Sequence, residues 1–235
     1  SRQNDLRSTD NVAALMGRHV SFSFTVLVLL AMVAVSCGSS DSDAGVEPLG
    51  VQGVAEQDAN GCNIIEKAGV AVLALGVVQV TSVDVGNHVM CPVGYETTPP
   101  MSGDHFPAWQ NCGFYTEPLL DEVAVHSLEH GAVWIAYDPD LDVAERDAIS
   151  ALVSTDPHLL AAPYPGLANP IVLTAWMRQV AVERISDDAV TDFLDNQLGR
   201  RSTTAPEAGA SCGEAIGTPP FEPLSRYDEA FTQMS

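Results

Sequence analysis

The second half of the chain alternates short apolar runs with polar, turn-forming residues. Four of these runs are rich in Val, Ile, Leu or Ala and are too short for helices, so each predicts a buried strand. They span residues 132–137, 158–163, 171–176 and 179–185. Two further segments predict helices, 142–154 beginning at the N-cap Asp142 and 187–198 beginning after Ser186. This order of elements predicts a single α+β domain with a mixed β-sheet and two main helices.

The preceding region shows two contrasting patterns. Residues 69–85 are rich in Val and Leu and predict buried strands. Residues 86–122 hold Gly, Pro, His, Cys and aromatic residues without a sustained period, and Pro99-Pro100 followed by Ser102-Gly103 predicts an ordered turn. A loop of this length within a compact domain is usually functional or held by cross-links. We therefore expect a long, ordered loop rich in Pro, Gly and His.

An apolar run near the start of the sequence predicts export. Residues 20–35 are uncharged and mostly apolar, but these 16 residues are fewer than the roughly 20 of a membrane span and suit the core of a signal peptide. The run ends in Ser36-Cys37-Gly38, which resembles the lipobox of bacterial lipoproteins, with Cys37 as the acylated residue. An ordinary cleaved signal peptide with an incidental cysteine is the alternative. We expect a protein anchored to the extracytoplasmic face of the cell membrane through a lipid on Cys37.

These features divide the chain into five predicted segments. Residues 1–15 precede Met16 and are expected to be an extension upstream of the native start. The other four segments are a signal peptide, a lipid-anchored flexible tether, a globular domain and a C-terminal tail, at residues 16–36, 37–61, 62–213 and 214–235. The tether is predicted to be flexible because it is rich in small residues, acidic residues and Gly.

Acidic residues greatly outnumber basic ones. The chain has 31 Asp and Glu against 10 Lys and Arg, and its formal net charge is −21 at pH 7. Such a surface repels nucleic acid and anionic lipid headgroups, so nucleic acid is not an expected partner and contact with the bilayer is expected through Cys37 alone. The same charge concentrates cations near the protein.

Four cysteines follow the lipobox. In an exported protein an even number of cysteines favours disulfides, and four cysteines allow three pairings. We favour Cys91–Cys112, which would close the irregular loop, and Cys62–Cys212, which would tie the two ends of the domain together.

Histidines are concentrated in and beside the irregular segment. Four of the six in the chain fall within 43 residues, namely His88, His105, His126 and His130. Neutral imidazole is the commonest transition-metal ligand, so this grouping predicts a site for copper or zinc. Glu129 is expected behind the ligands, where it would accept the free N–H of one imidazole. The alternative is that each histidine shapes the loop through its own hydrogen bonds.

The sequence His126-Ser127-Leu128-Glu129-His130 satisfies the H-x-x-E-H pattern of a class of zinc peptidases. In those enzymes a helix presents both histidines to the metal and the glutamate activates water, so Glu129 would be the catalytic residue. Gly131 follows at once and a strand begins, which argues against the sustained helix that this mechanism needs.

A series of short motifs carries a family resemblance. The motifs are His88-Val89, Val93-x-Tyr95, Pro99-Pro100-x-Ser102-Gly103-x-His105, Trp109, Gly113-x-Tyr115, Val125-His126-x-Leu128-Glu129-His130-Gly131, Pro163-Tyr164-Pro165-Gly166-Leu167, Thr174-Ala175-Trp176 and Ala205-Pro206-Glu207. Over about residues 68–210 the chain resembles the bacterial family known as domain of unknown function 3105. Met101 departs from that pattern at a position where a threonine is expected.

The resemblance implies a fold and a set of recurring polar positions, without an established activity. Those positions are His88, Ser102, His105, His126, Glu129 and His130. Ser102 thereby joins Glu129 as an expected residue behind the metal ligands.

Together these observations favour a membrane-anchored, extracytoplasmic lipoprotein that binds copper or zinc through its histidine cluster, and a metal donor or acceptor protein is a candidate partner. Two alternatives stay open. One is a metal-dependent hydrolase that uses the H-x-x-E-H motif, and the other is a non-catalytic envelope interaction protein whose His/Pro loop is structural.

Overall fold

Six strands form one mixed sheet in the computed structural model, which describes residues 71–82 and 86–223. The strands are Gln79–Val80 (β1), Gly113–Phe114 (β2), Val133–Tyr137 (β3), Leu159–Pro163 (β4), Ile171–Ala175 (β5) and Arg178–Val182 (β6). The described residues belong to one unit of the chain, Val51–Ser235. The predicted signal peptide, Cys37 and Cys62 lie outside the described residues.

The sheet has the order β1-β6-β5-β3-β4-β2. β4 runs parallel to both β2 and β3, whereas β5 is antiparallel to β3 and β6. At its centre Ile135 pairs with Ala161 on one side and with Leu173 on the other. β3, β4 and β5 are buried throughout, which explains why they are continuous apolar runs and not alternating patterns.

Three α-helices among the described residues cover the two faces of this sheet. They are Asp121–Glu129 (α1), Val143–Val153 (α2) and Asp188–Gln197 (α3), and a short 3₁₀ helix, Gly199–Arg201, follows α3. α2 and α3 pack on one face, where Ile149 and Phe193 join Ile135 in a buried cluster. α1 packs on the other face, where Leu128 joins Trp134. No helix among the described residues is both long and apolar enough to cross a bilayer.

The α+β class, the mixed sheet and the two predicted helices are confirmed. The observed bounds of β3 to β6, α2 and α3 differ from the predicted ones by at most three residues. Asp142 caps α2 as expected, because its carboxylate accepts a hydrogen bond from the backbone N–H of Glu145 at 2.9 Å.

The prediction of buried strands across residues 69–85 is wrong for the part that the structure describes. In residues 71–82 only Gln79–Val80 forms a strand, and the side chains of Val72 and Val80 are 78% and 61% exposed. β1 is the outer strand of the sheet and pairs only with β6. The Val-rich composition of this segment resembles that of a central strand. Whether such a strand is buried depends on its place in the sheet, and that place is not encoded in its composition.

The sequence did not predict α1 as a sustained helix. All nine of its residues are buried, so it lacks the polar face whose periodicity identifies a surface helix. Gly131 does end the helix, as its position suggested, with a φ of 91° that favours glycine. The helix lies before that glycine, and His126 and Glu129 are in its last turn.

The predicted disulfide pairing is also wrong. Cys112 is bonded to Cys212 across a sequence separation of 100, so neither Cys91–Cys112 nor Cys62–Cys212 forms. The chain near Cys212 runs beside β2, and the backbone N–H of Cys112 donates to the carbonyl of Cys212 at 2.7 Å. Cys91 is disulfide-bonded too, and its partner is not among the described cysteines.

Candidate metal centre

Three histidines and one glutamate converge at the end of α1. One ligand atom from each of His88, His105, His126 and Glu129 lies within 4.8 Å of the corresponding atom of every other. His105, His126 and Glu129 are buried, whereas His88 is exposed. Residues separated by 41 positions in the sequence therefore form one cluster, which we call the His/Glu cluster.

Two structural elements supply these four side chains. His126 and Glu129 are three residues apart in α1 and thus lie on the same face of the helix. His88 and His105 face each other in an isolated parallel bridge. Two backbone hydrogen bonds hold that bridge, from Val89 N–H to the His105 carbonyl at 2.8 Å and from His105 N–H to the Asn87 carbonyl at 3.0 Å.

Backbone carbonyls determine the tautomers of the two buried histidines. Nδ1 of His105 lies 2.9 Å from the carbonyl oxygen of Gly103, and Nδ1 of His126 lies 2.6 Å from that of Phe106. A carbonyl oxygen only accepts, so each Nδ1 carries the hydrogen and donates it. In a neutral imidazole this leaves Nε2 with a free lone pair, the form that binds a metal.

These lone pairs face the carboxylate of Glu129. Oε2 of Glu129 is 3.0 Å from Nε2 of His105 and 4.0 Å from Nε2 of His126. Despite the short distance, Nε2 of His105 is buried and has no hydrogen-bond partner among the described residues. The lone pairs of the two Nε2 atoms and the carboxylate of Glu129 repel one another at such distances in a buried site, unless a cation lies between them.

Burial also keeps His126 neutral. Desolvation lowers the pKa of His126 to about 3, and the positive charge that His105, His130 and His88 would carry adds to this lowering. The hydrogen bond to Phe106 acts in the opposite direction and is the weaker effect. At neutral pH His126 is therefore available as a ligand without first losing a proton.

The cluster fits a transition-metal ion in chemistry and in size. Zinc lies about 2.0–2.2 Å from imidazole nitrogen and carboxylate oxygen, so two ligands of a tetrahedral site are roughly 3.4 Å apart. The 3.0 Å and 4.0 Å separations bracket that value, and all four candidate ligand atoms lie within 4.8 Å of one another. Three nitrogens and one oxygen form a donor set that suits Zn²⁺ or Cu²⁺.

The structure brings together three of the four histidines predicted as ligands. His130 lies beside the cluster, with its ring centre 4.8 Å from that of His126. Its Nδ1 is 2.6 Å from the carbonyl oxygen of Ser211, and its Nε2 is 3.4 Å from Oε2 of Glu207. Glu129, which the sequence placed behind the ligands, lies among them.

The other residues of interest lie outside the His/Glu cluster. Ser102 is buried in the loop that carries His105, where it lines a cavity of about 280 Å³ together with Tyr95 and Asp104. Met101 is also buried and lines the same cavity.

This geometry differs from that of a zinc peptidase with an H-x-x-E-H motif. Such an enzyme needs both histidines of the motif on the metal and a glutamate free to activate water. Here one histidine of the motif faces Glu207 and the glutamate lies among the candidate ligands. The motif is therefore present in sequence and on a helix, without the arrangement that its mechanism requires.

Sequence patterns did not reveal Gly86, whose backbone packs closely against the cluster. A methyl group at Gly86 would lie 2.9 Å from Cε1 of His105, 3.0 Å from the ring of Trp176 and 3.4 Å from Oε1 of Glu129. Only glycine allows the backbone to approach this closely. Its place two residues before His88 is the only signal that the sequence offers.

Comparisons with known proteins identify a family and no activity. The family model described as "Protein of unknown function (DUF3105)" matches residues 88–214, a segment that contains all four residues of the His/Glu cluster. No curated protein and no solved structure matches the chain. The chain belongs to the DUF3105 family of proteins of unknown function.

Proposed function

We propose that this protein is an extracytoplasmic, lipid-anchored protein that binds one transition-metal ion, zinc or copper, through His88, His105, His126 and Glu129. The ion would lie between the end of α1 and the bridge that joins His88 to His105.

One observation carries this proposal. Nε2 of His105 is fully buried, has no hydrogen-bond partner in the part of the chain that the structure describes, and lies 3.0 Å from a carboxylate oxygen. An unpaired buried acceptor costs about 1–3 kcal/mol, and a neighbouring carboxylate adds repulsion. A metal ion removes both costs at once, because it accepts the lone pair of the nitrogen and neutralises the carboxylate.

The donor set limits the choice of metal. Thiolate and thioether ligands select Cu⁺, whereas imidazole and carboxylate suit Zn²⁺ and Cu²⁺. The three described cysteines are all in disulfides, so none of them offers a thiolate, and the cluster itself consists of imidazole and carboxylate groups. The proposal therefore specifies Zn²⁺ or Cu²⁺.

The proposed location rests on sequence and on cysteine chemistry. Cys37 stands in a lipobox-like context after a signal-like apolar run. The disulfide between Cys112 and Cys212, together with a bonded Cys91, suits an oxidising compartment outside the cytoplasm.

Calorimetric titration of Zn²⁺ and Cu²⁺ into chelator-treated protein tests the metal site. We expect one ion per chain with a Kd tighter than about 10 μM, which corresponds to roughly 7 kcal/mol. His126→Ala should abolish this binding, whereas His130→Gln should retain it because His130 lies outside the cluster. The unfolding temperature of each metal-free variant is measured first, so that loss of fold is not mistaken for loss of a ligand.

Two results would contradict the proposal. One is no binding tighter than about 10 μM by the wild-type protein. The other is equal binding by wild type and a folded His126→Ala variant. Either result would leave the cluster as a structural feature of the loop.

A further inference from the structure

The four candidate ligands differ sharply in burial. His105 is 0% exposed, His126 is 4% exposed and Glu129 is 9% exposed. His88, by contrast, is exposed to solvent. An ion held by all four residues would therefore be enclosed by protein on three sides and reachable from the side of His88.

The ligands also differ in how firmly they are held. Nδ1 of His105 and Nδ1 of His126 each donate to a backbone carbonyl, and Glu129 is part of a fully buried helix. The ring of His88 makes no hydrogen bond within the described residues and contacts only other rings, with its centre 4.9 Å from that of His126 and 5.2 Å from that of His105. Histidine ligands of tightly held metals almost always donate their second N–H to a protein group. His88 lacks that support.

We infer that His88 is the exchangeable ligand of the site, and that the ion passes to and from a partner protein that presents an exposed histidine in its place. This inference rests on the proposed metal site. His105, His126 and Glu129 hold the ion while the partner's histidine replaces His88, and they release it to the partner only afterwards.

The exchange step is a simple ligand substitution. The neutral imidazole of the partner forms a metal–nitrogen bond as the metal–nitrogen bond to His88 breaks, so no electron and no proton is transferred. An imidazole is the fitting incoming ligand because it preserves the donor set of three nitrogens and one oxygen. Thiolates are less suitable partners, since the oxidising compartment that the disulfides indicate converts them to disulfides.

Cobalt(II) serves as the spectroscopic probe, because its visible absorption reports the number and type of ligands. The spectra and affinities of Co²⁺ are compared in wild type, His88→Ala and His126→Ala. Each protein is titrated with the capped peptide acetyl-Gly-His-Gly-amide, which represents a histidine on an exposed segment. Acetyl-Gly-Ala-Gly-amide is the matched control, and free imidazole shows whether a small ligand enters where the peptide cannot.

We expect His88→Ala to bind Co²⁺ at least about 10-fold more weakly than wild type, because loss of a group that merely supports a ligand already costs about 10–100-fold. The histidine peptide should restore its spectrum and affinity, whereas the alanine peptide should not. His126→Ala should not respond to the peptide, because His126 is buried. This pattern would support His88 as the exchange ligand.

The failures of the two proposals are distinguishable. Absence of Co²⁺, Zn²⁺ and Cu²⁺ binding by wild type would overturn the metal site itself. Binding by wild type that His88→Ala leaves unchanged would overturn the exchange role and remove His88 from the ligands, but would leave an ion bound by His105, His126 and Glu129. The exchange role would also be overturned if free imidazole, but not the histidine peptide, restored the Co²⁺ spectrum and affinity of His88→Ala. The metal would then be accessible to a small molecule and not to a histidine of a partner protein.

Discussion

Nε2 of His105 and Oε2 of Glu129 face each other at 3.0 Å without forming a hydrogen bond. Nδ1 of His105 donates its hydrogen bond to the Gly103 carbonyl, so in the neutral imidazole Nε2 is an acceptor. The contact with Glu129 then joins two acceptors. A cation between them, and not the pair itself, would stabilise this arrangement. Substitutions at Glu129 separate these effects.

Glu129→Gln should change stability and metal affinity in opposite directions. The amide keeps the shape of the carboxylate, removes its charge and offers an N–H to Nε2 of His105. Metal-free Glu129→Gln should therefore be more stable than metal-free wild type by about 1–2 kcal/mol, whereas its affinity for Zn²⁺ should fall. Chemical unfolding after chelation and calorimetric titration measure the two quantities.

The competing account is an ion pair between protonated His105 and Glu129. In that case Glu129→Gln would lower the stability of the metal-free protein, because the buried charge of His105 would lose its partner. A destabilised variant would therefore argue for the ion pair and against the metal site.

Gly86→Ala should weaken metal binding while leaving the sheet intact. The added methyl group would meet the ring of His105 at 2.9 Å and the ring of Trp176 at 3.0 Å, so the imidazole must move away from its ligand position. Gly213→Ala is a suitable control, since a methyl group there meets only the hydroxyl of Ser211, at 4.0 Å. We expect at least a tenfold loss of Zn²⁺ affinity for Gly86→Ala and no change for Gly213→Ala, by the same titration. Equal affinities for both variants would mean that the position of His105 does not matter for the ion.

Acid should destabilise the metal-free protein through His126. Burial lowers its pKa to about 3 in the folded chain, below the ordinary value of 6.5 that applies after unfolding. Between these values the unfolded chain binds a proton that the folded chain does not, so stability is fully present above pH 6.5 and falls as the pH drops toward 3. By pH 5 the titration of His126 lowers the free energy of unfolding by on the order of 2 kcal/mol.

Urea unfolding of chelator-treated protein at pH 7 and pH 5 measures this effect. His126→Gln should lose less stability between the two pH values than wild type does, because glutamine does not titrate. Identical losses in both proteins would show that His126 is not the group responsible.

Non-reducing peptide mapping should recover two disulfides. Cys112–Cys212 is the bridge in the structure, and Cys91 is bonded to a cysteine outside the described residues. With Cys37 expected to carry lipid, Cys62 is the remaining partner, so we expect a Cys62–Cys91 peptide. Replacing Cys112 and Cys212 together by alanine should cost about 2–5 kcal/mol of stability, because the bridge closes a long loop. A Cys91 peptide linked to Cys37 would disprove the second pairing and the lipid on Cys37 together.

Mass spectrometry of the native N-terminus tests the anchor. We expect a diacylated or triacylated Cys37, and release of the protein from the membrane in Cys37→Ala. An unmodified N-terminus elsewhere, or membrane retention of Cys37→Ala, would show that the lipobox-like motif is not used.

Much of the sheet and two of the helices follow from local patterns. The runs that became β3, β4 and β5 are apolar because both faces of the sheet are covered, and α2 begins where Asp142 provides a cap. α1 could not be recognised in the same way, because a helix buried on every side has no amphipathic period. The four histidines were visible as a group because most of them are close together in the sequence.

Tertiary structure alone decided which residues form the cluster. Glu129 and His130 are neighbours at the end of α1, three and four residues after His126, so helix geometry alone places both on the side of His126 and does not decide between them. The choice depends on where the chain around His88 and His105 crosses the helix, and long-range backbone hydrogen bonds determine that path. The same holds for Cys112, whose partner is 100 residues away because the C-terminal segment returns beside β2. Sequence by itself determined the local elements and the types of ligand available, whereas the packing of distant segments selected His88, His105, His126 and Glu129 from among them.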